Sequence, residues 1–148
     1  MSDVGIFVGT VYGNAQHVAE QVKEMFDTKG VNTKIYDDPS LEDFKQARGA
    51  IFISSTTGQG DVPPNLEFFI AELREQFPLM EKKPFAVVGL GDSSYGETYC
   101  GAGRQIQTLL IELQGQPVAD LLKIDASETL EPETEVVPWL ENLAANFV

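Results

Sequence analysis

Three glycine-rich segments with short polar side chains are the parts of this 148-residue sequence whose residue types could bind a ligand. They read GTVYGNA at residues 9–15, SSTTGQGDVPPN at residues 54–65 and GLGDSSYGETYCGAG at residues 89–103. Glycine allows a ligand to approach the backbone closely, and the hydroxyl, amide and carboxylate groups can hydrogen-bond to it. Each segment follows or ends a short apolar run, so we expect each to connect a strand to a helix.

The first segment has the features of a phosphate site. Gly13 permits a tight turn, Thr10 and Asn14 offer polar groups, and the helical pattern that follows would present free backbone N–H groups to an anion. No lysine precedes Lys23, and a GxGxxG motif is missing, so ATP-type and dinucleotide-type loops are excluded. Taken alone, the segment is more simply explained as a helix start with nothing bound; the other two segments favour a ligand.

The second and third segments indicate a polyol and a flat ring beside that phosphate. The second places hydroxyl groups and two glycines directly after a buried strand, and Pro63 and Pro64 stiffen its entry into a helix. The third places Asp92, Tyr95 and Tyr99 in a glycine-rich turn. Because exposed tyrosines favour aromatic partners, we expect a planar ligand here.

Short β-rich apolar runs alternate with amphipathic helical patterns along the chain. Strands are predicted at residues 4–8, 31–36, 50–54, 85–90 and 118–124, and helical patterns cover residues 15–26, 66–77 and 106–113. A last helix is expected to start near Pro138, since proline is tolerated in a first turn, or several residues earlier. Residues 38–46 lack a strong pattern, so a loop or one short helical turn is predicted there.

This alternation predicts an α/β fold with a parallel sheet and helices on both faces, in one domain spanning residues 1–148. The three segments follow the first, third and fourth strands. Ligands of such sheets bind beyond the carboxyl ends of the strands, where the strand order reverses. We therefore expect the three segments to meet at one edge of the sheet.

The composition excludes several function classes. With 23 acidic and 10 basic residues the formal net charge is −13, which argues against a nucleic-acid-binding surface. The acidity either favours basic partners or provides only solubility, and charge alone does not choose between them. One cysteine, Cys100, and one histidine, His17, cannot build a disulfide framework or a metal site with several thiolate or imidazole ligands. The first residues lack a signal-peptide pattern, and no apolar run approaches the roughly 20 residues of a membrane span, so a cytoplasmic location without membrane association is expected.

Together the three segments resemble the FMN loops of the flavodoxin family. Thr10-Val11-Tyr12-Gly13-Asn14-Ala15, Ser55-Thr56-Thr57-Gly58 and Gly91-Asp92-Ser93-Ser94-Tyr95 match in order and spacing. The resemblance covers the whole chain and is strongest to short-chain, single-domain flavodoxins of the YqcA and MioC type. It implies a three-layer sandwich around a five-stranded parallel sheet of order 2-1-3-4-5.

Carried over by position, the resemblance assigns FMN-binding roles. It places the phosphate on residues 10–15, the ribityl chain near Thr56, Asp92 and Tyr99, and the flavin ring between residues 57–61 and Tyr95. The full set implied is Thr10, Val11, Tyr12, Gly13, Asn14, Ala15, Thr56, Thr57, Gly58, Gln59, Gly60, Asp61, Leu90, Gly91, Asp92, Tyr95, Tyr99 and Cys100.

Two departures from the family pattern affect FMN binding. Tyr12 and Ala15 stand where the family often has hydroxyl side chains, so phosphate binding must depend on backbone amides, Thr10 and Asn14. Thr57 stands where a tryptophan is frequent, which removes a stacking interaction worth about 1 kcal/mol.

The function implied is that of a low-potential one-electron carrier with no catalytic side chain. A flavodoxin/ferredoxin NADP reductase would donate electrons and a redox enzyme would accept them, by transient docking of a monomer. An FMN-dependent quinone or nitro reductase is the alternative. Such an enzyme would need a pocket for a nicotinamide cofactor or substrate over the flavin, and no second phosphate loop or basic cluster is evident.

Overall fold

Parallel strands alternate with helices in this computed structural model, which describes residues 3–10, 13–57, 60–92, 99–126, 128–129 and 131–148. The strands are β1 Val4–Gly9, β2 Thr33–Tyr36, β3 Gly49–Ser55, β4 Pro84–Gly91, β5 Gln116–Pro117 and β6 Leu122–Asp125. The helices are α1 Asn14–Thr28, α2 Leu41–Gln46, α3 Pro64–Gln76, α4 Gly101–Glu112 and α5 Glu133–Leu143, and a 3₁₀ turn follows at Ala144–Phe147.

The sheet has the predicted order, with β2, β1, β3 and β4 side by side and every pair parallel. Both β5 and β6 pair with β4 and together fill the fifth position. The predicted flavodoxin-like order 2-1-3-4-5 is therefore confirmed.

The prediction of one continuous fifth strand over residues 118–124 is wrong. Residues 118–121 separate β5 from β6. Leu121 packs against the core beside α4, and its neighbour Leu122 packs against the core on the other face. An interruption at a sheet edge accommodates the exposed Asp120 and blunts the edge against pairing with other chains.

Apolar side chains cover both faces of the sheet. All six residues of β1 are buried, and alternate residues point to opposite faces: Ile6 belongs to the core beneath α1 and α5, and Phe7 to the core beneath α2, α3 and α4. Phe7 stacks on Phe52 and Phe69 with ring centroids 4.8 and 5.6 Å apart. A strand buried on both faces explains the continuous apolar runs in the sequence.

Two helix starts differ from the apolar pattern. α4 begins at Gly101, before the apolar residues, because its first turn packs through small residues against neighbouring backbone. α5 begins at Glu133, five residues before Pro138, so the earlier of the two expected starts is the observed one. The earlier start allows Val136 to be buried on the inner face of the helix. Pro138 has no N–H to donate to the Thr134 carbonyl, and the loss is tolerated because Thr134 is exposed.

The weakly patterned stretch forms the short helix α2. Ser40 caps it, since its Oγ accepts a hydrogen bond from Asp43 N, and the Asp43 carboxylate accepts one from Ser40 N. This capping box stabilises a six-residue helix that periodicity alone could not identify. No helix in the described ranges is long and apolar enough to cross a membrane.

Candidate cofactor-binding site

The three segments follow strands that end at one edge of the sheet. In the parallel register Gly9 pairs with Ser54, and Ser55 pairs with Leu90, so the segments leave β1, β3 and β4 side by side. β1 lies between β2 and β3, which is where the strand order reverses. The predicted convergence at this edge, called here the carboxyl-end edge, is confirmed.

Thr10 and Gly13 shape the start of α1. Gly13 adopts the left-handed conformation, with φ of +88°, and its N–H donates to Thr10 Oγ1 at 2.8 Å. The helical hydrogen bonding starts at His17 N, which donates to Gly13 O. The first turn carries no acidic residue, and within the described part of the chain no side chain caps it. Its first backbone N–H groups are thus suited to an anion.

Asn65, at the start of α3, holds the ends of β1 and β2 in place through its side chain, and no role was predicted for it from the sequence. Its side-chain Oδ1 accepts a hydrogen bond from Thr10 N at 2.9 Å, and its Nδ2 donates to Val8 O and Asp37 O at 2.7 and 2.9 Å. One amide therefore joins α3 to the ends of β1 and β2. The only signal in the sequence was its position directly after Pro63 and Pro64.

The second segment is closed at its stem. Thr57 N donates to Asp61 O at 2.9 Å, and Asp61 N donates to Thr57 O at 2.7 Å, which is a short antiparallel bridge. Gly60 has a φ of +92°, a conformation that glycine adopts without strain. Both ends of this loop are held in place.

Close packing also fixes the second segment against α4. A Cβ atom at Gly101 would lie 2.6 Å from Gly60 Cα, so only glycine fits there. Gln105 Nε2 donates to Gly60 O at 2.7 Å. The second segment and the start of α4 thus form one packed unit.

The third segment rejoins the described chain at Tyr99 and Cys100, beside Gly91. A Cβ at Gly91 would lie 2.9 Å from Cys100 N and 3.3 Å from Tyr99 Cδ1. Cys100 is fully buried with a φ of +53°, and its Sγ donates to Gly89 O at 3.4 Å. Leu90 is also buried.

Burial controls the protonation of these two side chains. Desolvation, followed by the neighbouring Cys100, raises the pKa of Tyr99 to about 12, so its phenol stays a hydrogen-bond donor at neutral pH. Burial also raises the pKa of the Cys100 thiol and outweighs the hydrogen bond with Tyr99 that lowers it. Both groups are neutral under ordinary conditions, and Cys100 has the character of a packing residue rather than a reactive thiol.

Thr56 carries unused hydrogen-bonding capacity. Its Oγ1 is buried, and no hydrogen-bond partner for it exists among the described residues. Such an atom is unfavourable unless a ligand or water satisfies it. An unpartnered hydroxyl after β3 and an uncapped helix start after β1 fit a ligand with a polyol and a phosphate.

Some predicted site residues lie outside the described residues, and their roles stay predictions. They are Val11, Tyr12, Gly58, Gln59 and Tyr95. In the remainder, no cluster of three or more His, Cys, Asp or Glu side chains could hold a metal ion.

Comparison with known proteins identifies the family. The sequence profile described as "Flavodoxin" matches residues 6–139. The chain is 39% identical to Flavodoxin YqcA of Escherichia coli K12, over 95% of each chain, and 33% identical to Protein MioC of the same strain, also over 95% of each. Its structure matches a flavodoxin from Pseudomonas aeruginosa that carries a cysteine-to-serine substitution, with a TM-score of 0.92 and 38% identity over 98% of both chains.

These matches decide between the two classes of function that the sequence left open. Flavodoxins are electron-transfer proteins that use FMN, rather than catalytic enzymes, so the cofactor and the class of activity are confirmed. By its profile match and its identity to curated relatives, the chain belongs to the flavodoxin family.

Proposed function

We propose that residues 1–148 form one FMN-binding domain that carries single electrons from a flavodoxin/ferredoxin NADP reductase to a redox enzyme. When bound, FMN supplies the one-electron chemistry of its ring. One observation carries the proposal: at the same edge of the sheet, the start of α1 has no side-chain cap and the buried Thr56 hydroxyl has no hydrogen-bond partner among the residues that the structure describes. The protein works as a monomer that docks transiently.

The phosphate is held by the first segment. The N–H groups of the first turn of α1 donate to it, and the Thr10 hydroxyl, itself accepting from Gly13 N, can donate to a phosphate oxygen. Asn65 keeps the Thr10 backbone in place. Val11, Tyr12, Asn14 and Ala15 complete the loop, which binds the anion without a lysine or arginine.

The second and third segments hold the ribityl chain and the ring. The buried Thr56 hydroxyl gains its missing partner from the ribityl chain, with Asp92 and Tyr99 nearby in the third segment. The ring lies between residues 57–61 and Tyr95, against the packed unit formed by Gly60 and Gly101. Leu90, Gly91 and Cys100 support this wall of the site from β4 and α4.

Electrostatics support docking of a basic partner. The connections that follow the strands, residues 10–13, 37–40, 56–63, 92–100 and 126–132, contain no lysine or arginine in the sequence. Their acids in the described residues are Asp37, Asp38, Asp61, Asp92, Glu128 and Glu131. These charges attract a basic protein and disfavour added negative charge at the site, which lowers the potential of a step that creates it.

An absorption spectrum and a cofactor extraction test the proposal. The purified protein should be yellow and release FMN, not FAD, on denaturation, and the apoprotein should bind added FMN. NADPH oxidation should be slow with the protein alone and rapid when a flavodoxin/ferredoxin NADP reductase and a final acceptor are supplied. Multiple turnovers of NADPH without a reductase would contradict the carrier function.

A further inference from the structure

Phe68 on α3 exposes 86% of its surface. Among the large apolar side chains of the described residues, only that of the C-terminal Val148 is more exposed. Phenylalanine is usually buried, although an isolated exposed apolar residue needs no explanation. Phe68 is not isolated: Pro64 and Ala71 lie one helical turn to either side and are also exposed. We call Pro64, Phe68 and Ala71 the α3 stripe.

The α3 stripe points away from the core. The buried residues of α3 occupy the opposite side of the helix; they are Leu66, Phe69, Ile70 and Leu73. With 1.5 Å of rise per residue, Phe68 lies about 6 Å along the helix from Pro64, at its carboxyl-end-edge terminus. The stripe therefore begins directly beside the second segment of the cofactor site.

This part of α3 is rigidly attached to the site. Asn65 bonds to the ends of β1 and β2, and the loop before it is bonded to α4 through Gln105 and Gly60. A side chain on a fixed helix loses little additional backbone freedom when a partner covers it. Phe68 is thus a pre-positioned contact beside the place where electrons enter and leave.

The charges around the α3 stripe indicate which kind of protein surface would bind to it. Its exposed acidic neighbours are Asp61, Glu67, Glu72 and Glu75. The one basic residue of α3, Arg74, donates to Gln105 Oε1. A second copy of this chain would bring like charges face to face, which is unfavourable, whereas a surface bearing lysine and arginine is complementary.

We propose that Phe68 is the apolar anchor of the docking surface for the redox partner, a protein with an apolar pocket rimmed by lysine and arginine. This inference rests on the proposed function, because it requires a protein that exchanges electrons at the carboxyl-end edge. The acidic side chains around the α3 stripe accelerate the encounter with the basic partner. The phenyl ring of Phe68, which the partner buries in the complex, determines how long the complex lasts, since aromatic anchors within a polar rim dominate interface energies.

The test compares Phe68→Ala with Ile111→Ala in the FMN-loaded protein. Ile111 is 51% exposed and lies near the far end of α4, so it is a control for loss of an exposed apolar side chain. The probe is a flavodoxin/ferredoxin NADP reductase with NADPH and an excess of a final electron acceptor, and the readout is the KM of the reductase for the flavodoxin at several salt concentrations. Phe68→Ala should raise the KM about tenfold with little change in its salt dependence, a loss typical of an interface anchor.

Ala71→Lys provides a second variant that keeps Phe68. It places a positive charge on the stripe and should also raise the KM, whereas Ile111→Ala should leave it unchanged. An unchanged KM for Phe68→Ala, or an equal rise for Ile111→Ala, would overturn the proposal. So would self-association that Phe68→Ala abolishes in sedimentation velocity.

FMN content and ferricyanide reduction separate this proposal from the proposed function. Ferricyanide is a small oxidant that takes electrons from flavodoxin previously reduced with dithionite, so this reaction needs no docking surface. Both quantities should be the same in the parent protein, Phe68→Ala and Ile111→Ala. A parent protein that binds no FMN would contradict the carrier function, whereas full FMN loading with an unchanged KM would contradict only the role of Phe68.

Discussion

The two edges of the sheet differ in charge, although the same strands and helices form both. The connections at the carboxyl-end edge contain acids and no lysine or arginine. The connections at the opposite, amino-end edge, residues 29–32, 47–48, 77–83 and 113–115, carry Lys29, Arg48, Lys82 and Lys83 against Glu81. Helices of a parallel α/β fold start at the first edge and end at the second, so their dipoles favour acids at one and bases at the other.

The edges also differ in how the backbone is used. At the amino-end edge Phe77, Glu81, Lys82 and Gln114 have positive φ although none is glycine, and the turns are closed by bonds such as Met80 N to Leu113 O and Lys82 N to Gln114 O. Gly30 also has a positive φ there, and at the carboxyl-end edge Gly13, Gly60 and Cys100 take that conformation. Backbone hydrogen bonds close the turns of the amino-end edge, whereas at the carboxyl-end edge the start of α1 has no side-chain cap among the described residues and is open to a ligand.

The largest effect is expected from adding a methyl group where backbone meets backbone. Gly101→Ala would force Cβ against Gly60 Cα and O, which cannot move aside, and should lower the free energy of unfolding by about 3 kcal/mol and weaken FMN binding. Gly115→Ala at the other edge meets Met80 Sδ at 2.7 Å and Phe85 Cδ2 at 2.8 Å and should lower stability less, with an unchanged Kd for FMN. Urea unfolding measures the stability of each variant, and FMN fluorescence titration measures its Kd. Equal effects of the two substitutions on the Kd would contradict the expected difference between the two edges.

Asn65→Ala should come next, because it deletes three hydrogen bonds at once. We expect a loss of about 2 to 3 kcal/mol in unfolding free energy and weaker FMN binding, since the backbone N–H of Thr10 loses its side-chain acceptor. Asn146→Ala is the matched control, as its side chain makes a single exposed bond to Leu143 O. Calorimetry of the apoproteins with FMN titration checks this; an Asn65→Ala protein with parental FMN affinity would show that the bridge does not shape the phosphate loop.

Gly13→Ala and Gly30→Ala place the same strain at the two ends of α1. Both glycines have positive φ, +88° and +73°, and a Cβ at either would have no atom within 4 Å among the described residues. Each variant should lose about 1 to 2 kcal/mol of stability from backbone strain alone. Only Gly13→Ala should also raise the Kd for FMN, which isothermal titration can measure.

Thr56→Val and Thr33→Val separate ligand binding from stability. Both hydroxyls are buried without a partner in the described chain, Thr56 after β3 and Thr33 at the opposite edge. Neither apoprotein should be destabilised, because each variant removes an unsatisfied polar atom. Thr56→Val should weaken FMN binding about fivefold, which is a loss of about 1 kcal/mol of binding free energy, whereas Thr33→Val should leave the Kd unchanged. A Kd raised by Thr33→Val and not by Thr56→Val would exclude a contact between Thr56 and the ribityl chain.

The smallest effect concerns pH. Because burial raises the pKa of Cys100 above its ordinary value of 9.0, the folded state keeps the thiol proton that the unfolded state releases. The stability from this group is present below about pH 9 and is lost as pH rises through the folded pKa. Cys100→Ala should therefore show a shallower alkaline loss of unfolding free energy between pH 8 and 11 in urea titrations; parallel curves would contradict it.

Sequence reasoning located the site because its signals are local. Glycine at position 13 before a helical pattern, two glycines among hydroxyls after an apolar run, and strands alternating with helices are all visible within a few neighbouring residues. It missed Asn65, whose partners Thr10 and Asp37 lie 55 and 28 positions away, since nothing in the neighbouring residues indicates them. It also gave Gly101 no role beyond its place in a glycine-rich segment, although its contact with Gly60 requires a glycine there.

The sequence by itself determined the types of element, the faces they bury and the overall acidic charge, because periodicity, turn residues and composition can be read from the chain alone. The tertiary structure decided the split of the fifth strand, the start of α5 before Pro138 and the bridge made by Asn65. Each of these depends on packing between residues distant in the chain: Leu121 and Leu122 are drawn to opposite cores, and Val136 is buried against α1. Such contacts override a local preference whenever the free energy gained from apolar burial and hydrogen bonds exceeds the free energy of that preference.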